Sequence, residues 1–243
     1  MNDHAAHANS FGPAAEVYER GRPGYPAAAL DWLLPAGGRP RIVDLGAGTG
    51  KLTRQIRDRG LPVTAVDPSE EMLAQLGKAV RGVPALLGTA EKIPLPDASA
   101  DAVLVAQAWH WVDPARAVPE VARVLSPGGR LGLIWNLRDE RVAWVHRLGE
   151  IIGSPERDRQ TTVGAPFGEV EIAHFGWTET LGASRLLDMV ASRSGVILLP
   201  PDERAAVLGE VRRLVATHPE LVGHTEFELP YVTECARATL PAG

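Results

Sequence analysis

The chain has 243 residues, of which 45% are hydrophobic and 23% charged, and its formal net charge at pH 7 is −5. This apolar content is too high, and this net charge too low, for a disordered protein. The acidic balance also argues against a general nucleic-acid binder and against attachment to an anionic membrane surface.

The first half of the chain alternates short apolar runs with helical patterns. The predicted strands are residues 41–45, 61–67, 83–87, 101–106 and 130–135. The predicted helices are residues 27–34, 49–59, the stretch from Ser69 (a suitable N-cap) to Val80, and residues 114–125. Unbroken apolar strands that alternate with helices are typical of parallel βαβ units, so the sequence predicts an α/β fold with a doubly wound sheet.

Prolines and glycines refine this outline. Pro84 places the third strand at an edge of the sheet or at a strand start, because proline cannot donate to a ladder. The Ser-Pro-Gly-Gly sequence at 126–129 predicts a turn into the fifth strand.

The second half is predicted to complete the same sheet. Residues 170–175 and 227–233 are predicted strands, the second at an edge because of Pro230, and residues 182–217 between them have helical spacing. Residues 137–165, which include Arg138, form a charged amphipathic segment that we expect to cover an acceptor as a small helical lid. The predicted organisation is a lead-in over 1–25, a nucleotide-binding core over 26–136, and lid and last strands over 137–243.

The segment Asp-Leu-Gly-Ala-Gly-Thr-Gly at 44–50 lies directly after a predicted strand and before a predicted helix. Glycines allow a sharp turn and a close approach of a ligand to the main chain, and the following helix offers free N–H groups. Asp67 ends the second predicted strand, where an acid can accept hydrogen bonds from both ribose hydroxyls of a nucleoside. The combination predicts a nucleoside cofactor.

Three cofactor classes compete for this loop. A P-loop fits poorly because Leu45 and Leu52 occupy the positions of its first glycine and its magnesium-binding hydroxyl. A dinucleotide is disfavoured because Gly46, Gly48 and Gly50 give GxGxG rather than GxGxxG, and Asp44 would face a pyrophosphate. An acid suits a ligand that carries an ammonium group, such as S-adenosylmethionine (SAM).

The loop and three later segments resemble, in order, four motifs of class I SAM-dependent methyltransferases. They are residues 43–50, 65–69, 88–103 and 125–131. The flanks at 18–26 and 107–113 resemble the small-molecule, type 11 branch that includes trans-aconitate methyltransferase-like proteins. The resemblance implies a Rossmann-like sheet of seven mostly parallel strands with helices on both faces, SAM as cofactor, and S-adenosylhomocysteine (SAH) as product.

The resemblance also implies a cofactor role for each matching residue. Asp44, Gly46, Ala47 and Gly48 would surround the methionine portion and the ribose, Asp67 the ribose hydroxyls, and Pro68, Met72, Ala90 and Glu91 the adenine. Gln107 and Ala108 would line the methyl passage, and Arg22, together with Tyr18 or Tyr25, would close over the cofactor carboxylate. Plainer roles remain open: a helix cap for Asp67, core packing for Met72, and a structural lead-in for Arg22 and Tyr25.

Methyl transfer from a sulfonium needs a base only when the acceptor is protonated at neutral pH. His110 is the candidate base, and its alternative role is to position neighbouring groups between Trp109 and Trp111. Trp109, Trp111 and Trp135 either wall an apolar substrate pocket, stabilise the sulfonium by cation–π contact, or belong to the core.

We therefore predict an enzyme that transfers a methyl group from SAM to an oxygen, nitrogen or carbon of a small molecule. A SAM-binding protein that transfers no methyl and a methyltransferase of protein side chains remain alternatives. A nucleic-acid substrate is disfavoured because Gln-Ala-Trp-His at 107–110 replaces the Asn/Asp-Pro-Pro-aromatic motif of amino-methylating enzymes. The sequence does not predict the oligomeric state.

Cysteine content and targeting signals complete the prediction. Cys235 is the single cysteine, which excludes an internal disulfide and a multi-cysteine zinc site, and we expect no metal. No run reaches the ~18 apolar residues of a membrane span. Residues 1–24 lack the apolar core of a signal peptide, so we expect a cytoplasmic protein.

Overall fold

The computed structural model describes residues 22–153 and 163–242. Tyr18 and most of the predicted lead-in over 1–25 lie outside these described residues. The strands are β1 (Ile42–Leu45), β2 (Val63–Asp67), β3 (Ala85–Leu87), β4 (Ala100–Ala106), β5 (Leu125–Arg138), β6 (Glu171–Leu181) and β7 (Phe227–Thr239). The helices are α1 (Ala27–Leu33), α2 (Lys51–Arg57), α3 (Glu70–Ala79), α4 (Pro114–Val124), α5 (Ala143–Ile152), α6 (Ala183–Ala191), α7 (Ser194–Ile197) and α8 (Pro201–Thr217).

The strands form one seven-stranded sheet in the order β3-β2-β1-β4-β5-β7-β6. Strands β1 to β5 are parallel, and β7 lies antiparallel between β5 and β6. This arrangement confirms the predicted fold, with β3 at an edge. No helix in the described part of the chain is long and apolar enough to cross a membrane.

Buried clusters cover both faces of the sheet. Successive residues of β4 and β5 point to opposite faces, so adjacent apolar residues enter different clusters. Val103 and Leu133 belong to one buried cluster, with Trp109 and Trp135. The adjacent residues Leu104 and Ile134 belong to another, with Leu30 and Leu33 of α1 and Ile56 of α2. Strands that are apolar at every position therefore support helices on both sides.

A third buried cluster joins the second-half helices to the ends of the last two strands. Trp144 and Leu148 of α5, Leu186 of α6 and Val211 of α8 pack with Leu229 of β7. Of these helices only α5 lies in the segment 137–165 that the sequence predicts as a lid, and that role stays a prediction.

The structure corrects two details of the prediction. Residues 126–129 do not separate α4 from the fifth strand as a free turn. They form a bulge within β5, because Leu125 pairs with Ala100 and Arg130 with Ala102. Pro230 also does not mark an edge strand, since β7 is internal. Pairing between β5 and β7 ends at Arg138 and Tyr231, so the proline nitrogen lies just beyond the last rung.

Candidate functional site

A cleft opens at the carboxyl ends of β1 and β4, the two neighbouring strands from which the chain winds in opposite directions. Open α/β sheets bind ligands at this type of position. The cleft encloses about 670 Å³ of empty space, part of it open to solvent. Its described lining residues are Arg22, Pro23, Tyr25, 46–49, Lys51, Leu52, Ala106, Gln107, Asn136, Arg138, Met189, Arg193 and Tyr231.

The glycine loop after β1 forms one wall of the cleft. Gly46 has φ +72°, and its N–H and that of Ala47 donate to the carbonyl of Val66 in β2. A Cβ at Gly46 would lie 2.9 Å from the Cβ of Ala108, so the loop touches the end of β4. Gly48 has φ +54° and faces open space. The loop thus presents bare backbone to the cleft, as the sequence predicts for this segment.

Asp67, at the end of β2, fixes the same loop. Its Oδ2 accepts a hydrogen bond from the N–H of Gly48 at 2.8 Å, and its Oδ1 accepts one from the N–H of Ser69 at 2.9 Å. Burial raises the pKa of this carboxyl, and the two backbone donors lower it. Each oxygen retains lone pairs for a further donor such as a hydroxyl. Asp67 is not the cap of α3, since Ser69 is its N-cap and accepts from the N–H of Met72. Asp67 instead fixes the turn before that helix and leaves room for a ligand.

Asp44 is fully buried beneath the loop. The hydroxyl of Thr53 donates to its Oδ2 at 2.5 Å, whereas its Oδ1 has no hydrogen-bond partner among the described residues. Burial raises the pKa of Asp44 to about 7, although the Thr53 bond opposes the shift and the charge of Asp67 adds to it. A buried oxygen with no partner indicates a missing donor, since such groups are nearly always satisfied.

The segment before α1 closes the cleft from the side. Arg22 and Tyr25 both line it. The amide of Gln55 in α2 exchanges two hydrogen bonds with the backbone of Tyr25, at 2.9 and 2.7 Å. Asn136 of β5 donates to the carbonyl of Gly24 at 2.8 Å. The segment is therefore held from both sides of the cleft.

The predicted adenine residues lie beyond β2 and β3. Met72 and Ala90 are buried, whereas Pro68 is exposed. The Oε1 of Glu91 accepts a hydrogen bond from the N–H of Asp113, at the start of α4. These placements do not test the predicted adenine contacts, which stay predictions.

The residues after β4 divide between cleft and core. Gln107 lines the cleft with φ +58°, a left-handed conformation that turns the chain at the strand end. Trp109 and Trp135 are buried in the core cluster. The ring of His110 lies 4.6 Å from that of Trp111, and neither appears among the described lining residues. Their catalytic and pocket roles stay predictions.

Four lining residues come from the second half, and of these the sequence singled out only Arg138, as part of the predicted lid segment. Arg138 ends β5, Met189 and Arg193 lie in and just after α6, and Tyr231 lies in β7. Arginines are frequent throughout this chain, and the four residues come from three separate segments, so no local pattern marks them. Only the folded sheet brings them together.

Comparisons with known proteins agree with this geometry. A family model described as a methyltransferase domain matches residues 43–133. The chain is 60% identical to an uncharacterized methyltransferase of Mycobacterium tuberculosis over 95% of this chain and 96% of that protein. It is 35% identical to an uncharacterized methyltransferase-like protein of Schizosaccharomyces pombe, over 89% and 90% of the two chains. A solved structure of a proposed type II methyltransferase from Anaeromyxobacter dehalogenans superposes with a TM-score of 0.68 and 28% identity, covering 90% of this chain and 99% of that one.

Proposed function

The chain belongs to the class I SAM-dependent methyltransferases, and we propose that it methylates a small-molecule acceptor bound in the cleft. The observation that carries this proposal is that one cleft is lined both by the glycine loop and by the second-half residues Met189, Arg193 and Tyr231. Walls on both sides favour a small ligand over a residue on a folded protein surface. The net charge of −5 likewise disfavours a nucleic-acid acceptor.

The residues around the glycine loop fit SAM. Asp44 offers a buried oxygen that lacks a donor, which suits the cofactor ammonium directly or through a water molecule. Asp67 has lone pairs left for the two ribose hydroxyls. The open space beside Gly48 leaves room for the cofactor against the backbone. We assign Arg22 and Tyr25, which line the neighbouring wall, to the cofactor carboxylate.

When bound, SAM supplies a methyl group on a sulfonium, which is already an excellent leaving group. The chain then has to align the acceptor and exclude water, so proximity and orientation account for most of the catalysis. Gln107 and Ala108 border the glycine loop at the end of β4 and would line the methyl passage. The segment of Arg22 to Tyr25 covers this passage from the side.

A proton acceptor is needed only for a hydroxyl, phenol or carbon acid. We retain His110 for that case, because it follows β4 three residues after Gln107. A carboxylate acceptor would make it dispensable.

Methyl-labelled SAM tests the proposal. The protein is incubated with labelled SAM and a panel of carboxylates, phenols and amines, and label is measured separately in small molecules and in protein. We expect enzyme-dependent label in a small molecule, reduced in Asp67→Ala when SAM is below saturation. Label in protein would contradict the small-molecule acceptor. Binding of SAM with no label in either fraction would favour a SAM-binding protein that transfers no methyl.

A further inference from the structure

Positive charge is concentrated in the cleft. Its lining includes Arg22, Lys51, Arg138 and Arg193, and no acidic residue occurs among the described lining residues. The whole chain, in contrast, carries a formal charge of −5. An electropositive cleft on an acidic protein attracts anionic ligands.

Two of these arginines converge on one atom. Arg138 and Arg193 each donate from Nη2 to the carbonyl oxygen of Gly153, at 3.2 and 3.3 Å. Arg138 is 4% exposed, and its Nε has no hydrogen-bond partner among the described residues. The nearest acid is Glu140, whose Oε1 lies 3.5 Å from Arg138 Nη2. Arg138 thus has unused donor capacity within the cleft lining, on an element separate from the glycine loop.

Glu140 offsets only part of the repulsion between these guanidinium groups, because it is one acid beside Arg138, Arg193 and Arg22. Burial, followed by the charges of Arg138 and Arg22, lowers the pKa of Arg193 to about 9, although the charges of Tyr231 and Glu140 oppose the shift. Two guanidinium groups this close and this buried repel each other and lose hydration in the folded protein. A bound anion would offset both costs.

A structural role for the pair explains less. The carbonyl of Gly153 follows the C-terminus of α5, where a cation is favourable. One arginine is enough to donate a hydrogen bond to that carbonyl, however, and the Nε–H of Arg138 does not donate to it.

We propose that Arg138 and Arg193 form a subsite for an anionic group, a carboxylate or a phosphate, carried by the methyl acceptor. Guanidinium groups bind such groups through paired, charge-assisted hydrogen bonds. The subsite rests on the proposed function, because it places the acceptor across the cleft from the cofactor loop. Arg22 stays with the cofactor carboxylate, so the pair is the specificity element for the acceptor.

The first test needs no variant. The wild-type protein is saturated with SAH and titrated calorimetrically, at constant ionic strength, with succinate, with succinamide and with inorganic phosphate. We expect succinate or phosphate to bind at least about tenfold more tightly than the uncharged amide, since hydrogen bonds to charged groups are the stronger ones. Their order tells which anion the subsite prefers. Equal binding of succinate and succinamide, or no anion binding, would overturn the subsite.

Variants then locate the site. Arg138→Gln and Arg193→Gln are each expected to weaken anion binding about tenfold or more while the affinity for SAH stays within about twofold. Arg141→Gln is the matched control, because this exposed arginine of the same segment pairs with Asp139 and does not line the cleft in the described residues. Anion affinity that falls equally in the control would overturn the assignment. A loss of SAH affinity in both cleft variants would instead assign the pair to the cofactor.

The two proposals fail in different ways. If wild-type protein binds no SAH, the proposed function fails first. If it binds SAH and methylates uncharged acceptors as well as their acidic counterparts, only the anion subsite fails. Thermal unfolding of each variant separates lost binding from lost folding.

Discussion

The backbone N–H of Gly48 donates to the carboxylate of Asp67 across 2.8 Å, which ties the loop after β1 to the end of β2. The residue that is expected to bind the ribose therefore also fixes the loop that is expected to approach the sulfonium. Cofactor affinity and loop geometry are coupled through this one carboxylate.

Asp67→Ala should weaken the binding of SAH by about 1–3 kcal/mol, because it removes the acceptor of two ribose hydroxyls. Calorimetric titration measures the change. Asp58→Ala is the control, since Asp58 is an exposed residue at the end of α2 that pairs with Arg57. Equal affinity in wild type and Asp67→Ala would refute the ribose assignment.

Gly46→Ala should both destabilise the protein and close the cofactor side of the cleft. Its φ of +72° strains a Cβ, and that Cβ would lie 2.9 Å from Ala108. We expect a loss of about 1–3 kcal/mol in the free energy of unfolding, together with weaker SAH binding. Gly60→Ala is the matched control, because its φ is +75° and nothing lies within 4 Å of the added Cβ. Gly60→Ala should lower the stability without lowering the affinity for SAH. Equal losses of SAH affinity in Gly46→Ala and Gly60→Ala would contradict a steric clash at Ala108.

Asp44 should make stability depend on pH. Its folded pKa, about 7, lies above the ordinary value of 3.8, so the folded state holds a proton that the unfolded state releases. The contribution of this group is therefore fully present below pH 3.8 and is lost as pH rises toward 7. Relative to Asp44→Asn, wild type should lose about 1.4 kcal/mol per pH unit in this window. Denaturant unfolding between pH 4 and about 8 measures both proteins, and parallel profiles would contradict the elevated pKa.

Gln55→Ala should loosen the segment over the cofactor. It removes both hydrogen bonds to the backbone of Tyr25, so we expect SAH affinity to fall about fivefold while kcat changes little. Arg59→Ala serves as the control, since Arg59 donates to the carbonyl of Ala27 in α1 and not to this segment. Equal effects of the two substitutions would argue against a clasp at Tyr25.

His110→Ala distinguishes acceptor types. With a carboxylate acceptor no base is required, and kcat should change less than about threefold; with a hydroxyl acceptor it should fall by about 10²–10⁴. Steady-state kinetics on both acceptor types measures the effect. His146→Ala, on the exposed side of α5, should leave both rates unchanged. A large fall with a carboxylate would show that His110 positions groups rather than accepting a proton.

The sequence predicts those parts of the site that are local. The glycine loop is predictable because its backbone has a positive φ at Gly46 and Gly48, a conformation that favours glycine. Asp67 is predictable because it ends the second predicted strand. The convergence of Arg138 and Arg193 on Gly153 involves three separated segments, and no spacing within any of them indicates it.

Two further differences have simple physical causes. The strands β6 and β7 extend beyond their apolar runs because ladder hydrogen bonds between them continue through polar pairs such as Thr180 and Glu228. Tryptophans at 109 and 135 have the same apolar signature whether they wall a pocket or fill a core, and the sheet buries both. Periodicity alone does not distinguish these cases.

The most direct measurement is calorimetric titration of the purified protein with SAM, with NAD as the control ligand. The account predicts micromolar binding of SAM, weakened in Asp67→Ala, and no binding of NAD. Binding of NAD alone, or SAM binding that is indifferent to Asp67, would contradict the assignment of the cleft.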